Sequence, residues 1–159
     1  MRRENFEEEW RDRIPEEDKV VYCAFTGLGK TYFCQHNLCW VDLDESLFFF
    51  DFPLPSLGRF FTNYIEHGYK ILTNATSSMM HKLRSCGFKL KVFLPEDNAE
   101  TKEWVLEGIK GRKENQHYHG WLSSNNNYER VLFQAQHELT ADDEITYIPA
   151  GKHLSDYLK

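Results

Sequence analysis

The residues best suited to chemistry lie together at positions 24–31, with the sequence AFTGLGKT. This stretch fits the pattern G-x-x-x-x-G-K-[ST], with alanine at the first position, where the end of a strand needs a small residue. The glycines allow the backbone to turn so that its N–H groups converge on an anion, and a helix beginning near the lysine adds the positive end of its dipole. In such a loop the lysine bridges the β- and γ-phosphates of a nucleotide, and the hydroxyl that follows it ligates Mg²⁺. We therefore expect a nucleoside triphosphate such as ATP, with Mg²⁺, to be bound by Thr26, Gly27, Leu28, Gly29, Lys30 and Thr31. The alternative is an ordinary glycine turn with a surface lysine.

Two carboxylates, Asp42 and Asp44, follow the apolar residues 38–41. The carboxyl ends of parallel strands meet at one edge of a sheet, and side chains two residues apart point the same way. We therefore expect both carboxylates to reach the edge that carries the phosphate loop. Asp42 is predicted to be an outer-sphere partner of Mg²⁺, and Asp44 to orient or deprotonate an acceptor. The alternative is that they cap the helix that follows.

Further polar side chains are candidates for the acceptor site and for a lid. Arg59 and Asn63 lie one helical turn apart, so both could face one ligand, or else form part of a solvated face. Arg112 ends a basic helix at the start of a polar stretch, residues 113–120, which we expect to be a loop or lid. Its guanidinium is suited to gripping a transferring phosphate, although a cation is also favourable at a helix C-terminus.

The elements that must position these residues follow from two hydrophobic periodicities. Short apolar runs at residues 20–25, 38–41, 69–73, 88–94 and 144–148 predict buried strands. Helical patterns lie between them at 30–36, 57–67, 77–86, 99–112 and 127–137, and the prolines at 53 and 55 predict a loop over 51–56. Strands that alternate with helices indicate a parallel sheet covered on both faces. We predict an α/β fold of three layers with a parallel sheet of about five strands.

The bulk properties suit one domain of 159 residues, with 41% hydrophobic residues for a core. We expect residues 20–159 to form it and residues 1–19 to be a charged arm, a short amphipathic helix or a solvated tail that could meet a protein partner. The net charge of −6 argues against a broad nucleic-acid-binding face. The N-terminus is too charged for a signal peptide, no apolar stretch predicts a membrane span, and the four cysteines form no C-x-x-C pair. These features favour the cytoplasm.

Several segments together resemble a known group of enzymes. Five segments are similar to small P-loop kinases of the adenylate kinase and shikimate kinase type: the phosphate loop, the D-x-D after the second strand, residues 60–65 (FFTNYI), residues 93–95 (FLP) with the basic helix end at 110–112, and residues 145–158. They most resemble the nucleoside monophosphate kinase-like proteins of bacteriophages, over residues 20–158. The resemblance implies a P-loop fold with a small lid and ATP- and Mg²⁺-dependent phosphoryl transfer to a nucleoside monophosphate, including a deoxynucleotide. For a phage protein, the compartment would be the host cytoplasm.

One departure from that group leaves alternatives open. Met79 and Met80 stand where the group usually carries an arginine, with only Lys82 and Arg84 nearby. If that arginine grips the phosphate of the acceptor, the acceptor has changed or the activity is lost. One alternative is a kinase of a hydroxyl acceptor, for which a carboxylate base is useful. The other is an inactive nucleotide-binding regulator that uses residues 1–19 on a partner.

Overall fold

A computed structural model describes residues 9–43, 53–110 and 116–158. Its five strands are β1 (Val20–Ala24), β2 (Trp40–Asp42), β3 (Lys70–Asn74), β4 (Lys89–Pro95) and β5 (Glu144–Ile148). They form one sheet in the order β2-β3-β1-β4-β5, and every pairing is parallel. The helices are α1 (Lys30–Gln35), α2 (Leu54–Glu66), α3 (Ser77–Ser85), α4 (Ala99–Ile109), α5 (Gln116–Leu122) and α6 (Asn127–Glu138). The predicted α/β class with a five-stranded parallel sheet is confirmed.

The central strands are apolar because the sheet is covered on both sides. Val21 and Cys23 of β1 are fully buried, as are Val92 and Leu94 of β4. A parallel strand with helices on both faces carries a continuous apolar run instead of an alternating one. This is why five short runs were sufficient to locate the strands.

The helices lie on both faces of the sheet. α2, α3 and α6 pack in a row, α2 against α3 and α3 against α6. The connection from β1 to β2 runs across the sheet in the direction opposite to the others, so a right-handed crossover places α1 on the other face. There α1 packs against the C-terminal 3₁₀ turn Leu154–Asp156. None of the described helices is both long and apolar enough to cross a bilayer.

Two sequence-based expectations about loops were wrong. Residues 53–56 do not form a loop, because α2 begins at Leu54 and the prolines occupy its N-cap and first turn, where a missing N–H costs nothing. Residues 116–120 belong to α5, whose Leu122 is buried and whose Tyr118 and Trp121 rings stack at 5.9 Å. The glycine at 120 and the histidines had hidden that helical pattern. Residues 51–52 and 111–115 lie outside the described part of the chain.

The described part of the N-terminal segment is packed against α2. It forms two short 3₁₀ turns, Glu9–Asp12 and Glu16–Asp18, instead of one amphipathic helix. The Trp10 side chain is 2% exposed and stacks on Phe88 at 6.3 Å between ring centroids. Gly58 of α2 makes room for it, since a Cβ there would lie 2.4 Å from the indole. A solvated tail therefore does not describe residues 9–19, whereas Phe6 lies outside the described residues.

Candidate functional site at the carboxyl ends of β1 and β2

The loop between β1 and α1 has a backbone that requires glycine at two positions. Gly27 has φ +88° and Gly29, the N-cap of α1, has φ +93°. Other residues rarely adopt such angles, so the pattern of glycines and the observed turn agree. Between them the Leu28 side chain is fully buried, whereas Thr26 is partly exposed. The loop is anchored in the core and presents its polar residues at the carboxyl edge of the sheet.

Lys30, Thr31 and Asp42 meet at this edge. The Nζ of Lys30 lies 2.5 Å from Oδ1 of Asp42, and the hydroxyl of Thr31 donates to Oδ2 at 3.2 Å. The side chains of Lys30 and Asp42 are only 10% and 22% exposed, so water screens the pair weakly. One carboxylate therefore bonds with both side chains that the loop pattern singles out.

The position of Asp42 is fixed by the neighbouring strand. Asp42 is aligned with Leu72 of β3, and the next N–H, that of Leu43, donates to the Leu72 carbonyl at 2.9 Å. The buried hydroxyl of Thr73 then donates to the Leu43 carbonyl at 2.6 Å. These bonds hold the end of β2 beside β3, with Asp42 opposite the phosphate loop.

The pKa of a half-buried thiol beside this site depends on the charge of Asp42. Cys34 lies one turn after Lys30 on α1, and burial together with the negative charge of Asp42 raises its pKa to about 12. Lys30 acts in the opposite direction but does not outweigh them. The thiol is therefore protonated at neutral pH and is not suited to act as a nucleophile.

The ammonium of Lys30 and the N-terminus of α1 lie at the same edge of the sheet. This helix has six residues and begins directly after Gly29, so the N–H groups of its first turn stand beside the loop. The N–H groups of the loop and the ammonium of Lys30 are the groups available to bind phosphate oxygens.

Two other segments cover the loop, and sequence reasoning missed both. A Cβ on Gly27 would lie 2.9 Å from Cγ1 of Val105 and 3.1 Å from Cγ2 of Ile109, so the last turns of α4 press directly on the loop. From the C-terminal turn, the N–H of Leu154 donates to the Leu28 carbonyl at 3.1 Å. His153 lies over Gly29 and contacts the Trp104 ring at 4.9 Å between centroids. No local pattern marks these contacts, because even the nearest pair, Trp104 and His153, lies 49 positions apart in the chain.

The loop also borders the crevice between β1 and β4. The chain leaves β1 for β2 on one side of the sheet and leaves β4 for β5 on the other side. Open α/β sheets bind ligands at such a reversal of strand order. Phe25 packs edge-on against Tyr128 at 5.4 Å, and the Tyr128 hydroxyl is buried with no hydrogen-bond partner in the described structure. Burial raises the pKa of that hydroxyl well above its ordinary value, with Asp97 adding to the effect. An aromatic pair therefore lies next to the carboxyl end of β1, where Phe25 also bonds with Phe93 of β4.

The structure does not bring every predicted residue to the site. The side chain of Asn63 accepts a hydrogen bond from Nη1 of Arg13 at 2.8 Å, near the end of α2. It lies about 13 Å along the helix axis from Leu54, the end nearer the carboxyl edge. Asn63 thus holds the N-terminal segment, and Arg59, one turn earlier, is partly exposed. Asp44 and Arg112 lie outside the described residues, so their roles stay predictions.

The positions of α3 where the similar kinases carry an arginine hold core residues in this chain. Met79 and Met80, in the first turn of α3, are both fully buried. Arg84, in its last turn, bonds with Glu138 at 2.9 Å and with Asp143 at 2.7 Å. The guanidinium of Arg84 is therefore part of an ion network that joins α3 to α6 and to the turn before β5.

A magnesium ion fits the residues present, whereas a protein-only metal site does not. In the described ranges no group of three or more His, Cys, Asp or Glu side chains could hold a metal, the histidines of α5 included. Mg²⁺, however, is usually bound by one or two protein oxygens together with nucleotide phosphates and water. The Thr31 hydroxyl would supply such an oxygen, with Asp42 as an outer-sphere partner, and because this hydroxyl donates its hydrogen to Asp42, its lone pairs are available to an ion.

Comparison with known proteins gives no family. No protein-family model matches this sequence, and no curated protein matches it significantly.

Proposed function

We propose that this chain is a P-loop kinase that transfers a phosphoryl group from ATP to a nucleoside monophosphate in the presence of Mg²⁺. The observation that carries the proposal is the position of Asp42, whose carboxylate contacts both Lys30 and Thr31. The Asp42 side chain is 22% exposed, against 77% for Glu16 in the ion pair with Lys19, and it also accepts a hydrogen bond from Thr31. A site that binds phosphate and a metal needs a cation, a hydroxyl and a carboxylate at one place.

Each side chain has a separate task in this proposal. Lys30 and the N–H groups of residues 27–31 bind the triphosphate and neutralise the charge that spreads over its oxygens during transfer. The Thr31 hydroxyl ligates Mg²⁺, and Asp42 is its outer-sphere partner. Bound Mg²⁺ supplies charge neutralisation and orients the phosphates. The protein therefore acts mainly by positioning and electrostatics, since phosphoryl transfer needs little covalent chemistry from the enzyme.

The end of α4 supports the placement of a lid at this site. Ile109, the last residue of the helix, fills the space beside Gly27, where a Cβ would lie 3.1 Å from its Cγ2, and Lys110 follows it directly. The sequence then continues with Arg112 and Lys113. In the proposal Arg112 reaches the transferring phosphate when ligands bind, while Asp44 and Arg59 belong to the acceptor side. Asn63 has no part in it, because it bonds with Arg13.

A second candidate is a nucleotide-binding regulator that does not transfer phosphate. It is favoured by the burial of Met79 and Met80 and by the ion network that engages Arg84. An acceptor that carries a phosphate needs cations of its own, and α3 offers none at these three positions. A kinase of a hydroxyl acceptor is compatible with the same observation.

A turnover screen distinguishes these functions. ATP and Mg²⁺ are supplied with each ribo- and deoxyribonucleoside monophosphate, then with nucleosides, and ADP formation is followed by chromatography. Turnover with monophosphates supports the proposal, turnover with nucleosides alone selects the hydroxyl acceptor, and ATP binding without turnover selects the regulator. Failure to bind ATP at all would overturn the assignment of the site. Lys30→Ala is the inactive control and Lys19→Ala the matched one, because Lys19 is similarly buried at 12% exposure but lies before the other end of β1.

A further inference from the structure

One edge of the sheet is open along β5. This strand pairs only with β4, and the Glu96 N–H donates to the Ile148 carbonyl at 3.0 Å, which directs Ile148 toward β4. Because successive residues of a strand direct their backbone groups to opposite sides, Thr146 also faces β4. Ile145 and Tyr147 direct their N–H and C=O groups away from the sheet. Among the described residues, no turn, loop or cap bond uses these four groups.

The open edge lacks the features that normally prevent strands from pairing. Proteins protect such edges with lysine, proline or a bulge. Within β5 the only charged residue is Glu144, at the first position, and there is neither lysine nor proline. The side chains of Ile145 and Tyr147 are 38% and 42% exposed on the same face. Both the backbone and the side chains of this edge therefore offer contacts to another strand.

The ends of β5 favour one register for pairing with itself. Before the strand, the N–H of Asp143 is used in a turn with the Thr140 carbonyl at 3.1 Å. After it, Pro149 has no N–H. Only Ile145 and Tyr147 can thus exchange bonds with a partner. In an antiparallel pair two directly opposite residues exchange both bonds, so all four outward groups are used only when Ile145 of one copy lies opposite Tyr147 of the other.

This register is also favourable for the side chains. It places Ile145 beside Tyr147 twice, and pairs of aromatic and β-branched residues stabilise antiparallel strands. Thr146 lies opposite Thr146 on the two-fold axis. Glu144 lies opposite Ile148, so the Glu144 side chains of the two copies are about 14 Å apart, beyond the screening length at physiological salt. The pairing brings no like charges together.

We propose that β5 pairs antiparallel with β5 of a second copy about a two-fold axis at Thr146, which joins two five-stranded sheets into one of ten strands. Closed two-fold dimers are the commonest oligomers, and adding a strand to an exposed edge is a common mode of recognition. The proposal does not depend on the function of the phosphate loop.

The first test compares two tyrosine substitutions by sedimentation equilibrium. Tyr147→Lys places a charge on the edge, whereas Tyr69→Lys changes a tyrosine of nearly equal exposure, 41% against 42%, just before the interior strand β3. We expect the wild type and Tyr69→Lys to dimerise alike, and Tyr147→Lys to dimerise at least ~10-fold more weakly, the effect of about 1.4 kcal/mol. A wild type that is monomeric up to about 100 μM, or a dimer indifferent to Tyr147→Lys, overturns the proposal.

The second test traps the register and leaves the apolar edge intact. In a Cys39→Ser background, which removes the exposed cysteine, Thr146→Cys places two thiols directly opposite each other. Residues opposite each other in a non-hydrogen-bonded pair have Cα atoms about 4.5 Å apart, within disulfide range. Mild oxidation should therefore give a covalent dimer on a non-reducing gel, while Glu144→Cys should not. Equal cross-linking of the two variants, or cross-linking of Glu144→Cys alone, overturns the register.

Discussion

The ammonium of Lys30 and the carboxylate of Asp42 are 2.5 Å apart, although twelve residues separate them in the chain. The pair compensates a partly buried cation before any ligand arrives. A triphosphate that binds Lys30 must therefore compete with Asp42, unless a metal ion neutralises the carboxylate. In the proposed function this relationship couples the binding of the nucleotide to that of Mg²⁺, and the first two predictions test that coupling.

Lys30→Ala should weaken ATP binding in the presence of Mg²⁺ by ~30-fold or more. Truncating one partner of a desolvated charge pair typically costs about 2–5 kcal/mol. Titration calorimetry with Lys30→Ala and Lys19→Ala measures the effect, and the second variant should bind like the wild type. Equal affinities for all three proteins would remove the phosphate loop from the proposal.

Asp42→Asn should separate the role of the metal from that of the phosphates. We expect the affinity for ATP with Mg²⁺ to fall, because the carboxylate beside Thr31 is lost. The affinity for metal-free ATP should stay the same or rise, because Lys30 no longer has an anionic competitor. Glu16→Gln is the matched control, since Glu16 pairs with Lys19 at 2.7 Å away from the site. A similar loss with and without Mg²⁺ would assign Asp42 to packing instead.

Arg112→Ala should lower turnover by roughly 10²–10³, the scale of losing one donor to the charge of the transition state. ATP affinity should change little, because Lys30 and the loop bind the donor. Arg130→Ala, an exposed arginine on α6, serves as the control. In parallel, hydrogen exchange from residue 110 to α5 should slow when a bisubstrate analogue binds. Unchanged turnover and unchanged exchange would leave Arg112 as a cation after the end of α4.

The parts of the fold that the sequence predicted are those with local causes. The glycines at 27 and 29 follow an apolar strand and precede Lys30, so the turn could be inferred from adjacent residues. Asp42 was placed correctly at the same edge, because parallel strands share their carboxyl ends. Its direct bond with Lys30 was not foreseen, since the expectation gave that carboxylate only a metal.

The parts that were missed depend on contacts between distant segments. Nothing in the sequence distinguishes Gly58 from another glycine in a helix. The structure shows that the Trp10 ring occupies the space where a Cβ would lie. Asn63 was expected to face a ligand, because helical spacing shows which residues of α2 lie beside it. The same spacing cannot show that Arg13, fifty residues earlier, bonds with it. His153 carries no motif, and only the path of the C-terminal turn brings it over Gly29.

Cys34 can report on the charge of Asp42. With a pKa of about 12, its reactive thiolate is about one part in 10⁴ at pH 8. Asp42→Asn removes one cause of that shift, so Cys34 should be alkylated faster by iodoacetamide, as followed by peptide mass spectrometry. Cys86 is the internal control, because burial alone raises its pKa to about 11 and Asp42 has no part in it. If both cysteines became faster together, the variant would have loosened the fold.

Gly27→Ala should destabilise the protein more than Gly68→Ala, although both glycines have φ near +90°. The backbone cost of a side chain at such angles is about 1–2 kcal/mol and should be common to both variants. At Gly68 a Cβ meets nothing within 4 Å, whereas at Gly27 it would lie 2.9 Å from Val105 of α4. Forcing an extra carbon into a packed contact costs about 1–3 kcal/mol, so the free energy of unfolding in urea should differ between the variants by that amount.

Since α4 presses on the loop in the proposed site, Gly27→Ala should also weaken ATP binding, which Gly68→Ala should leave unchanged. Equal unfolding free energies would mean that α4 moves away from the loop at no cost, and the contact would then have no part in holding the site.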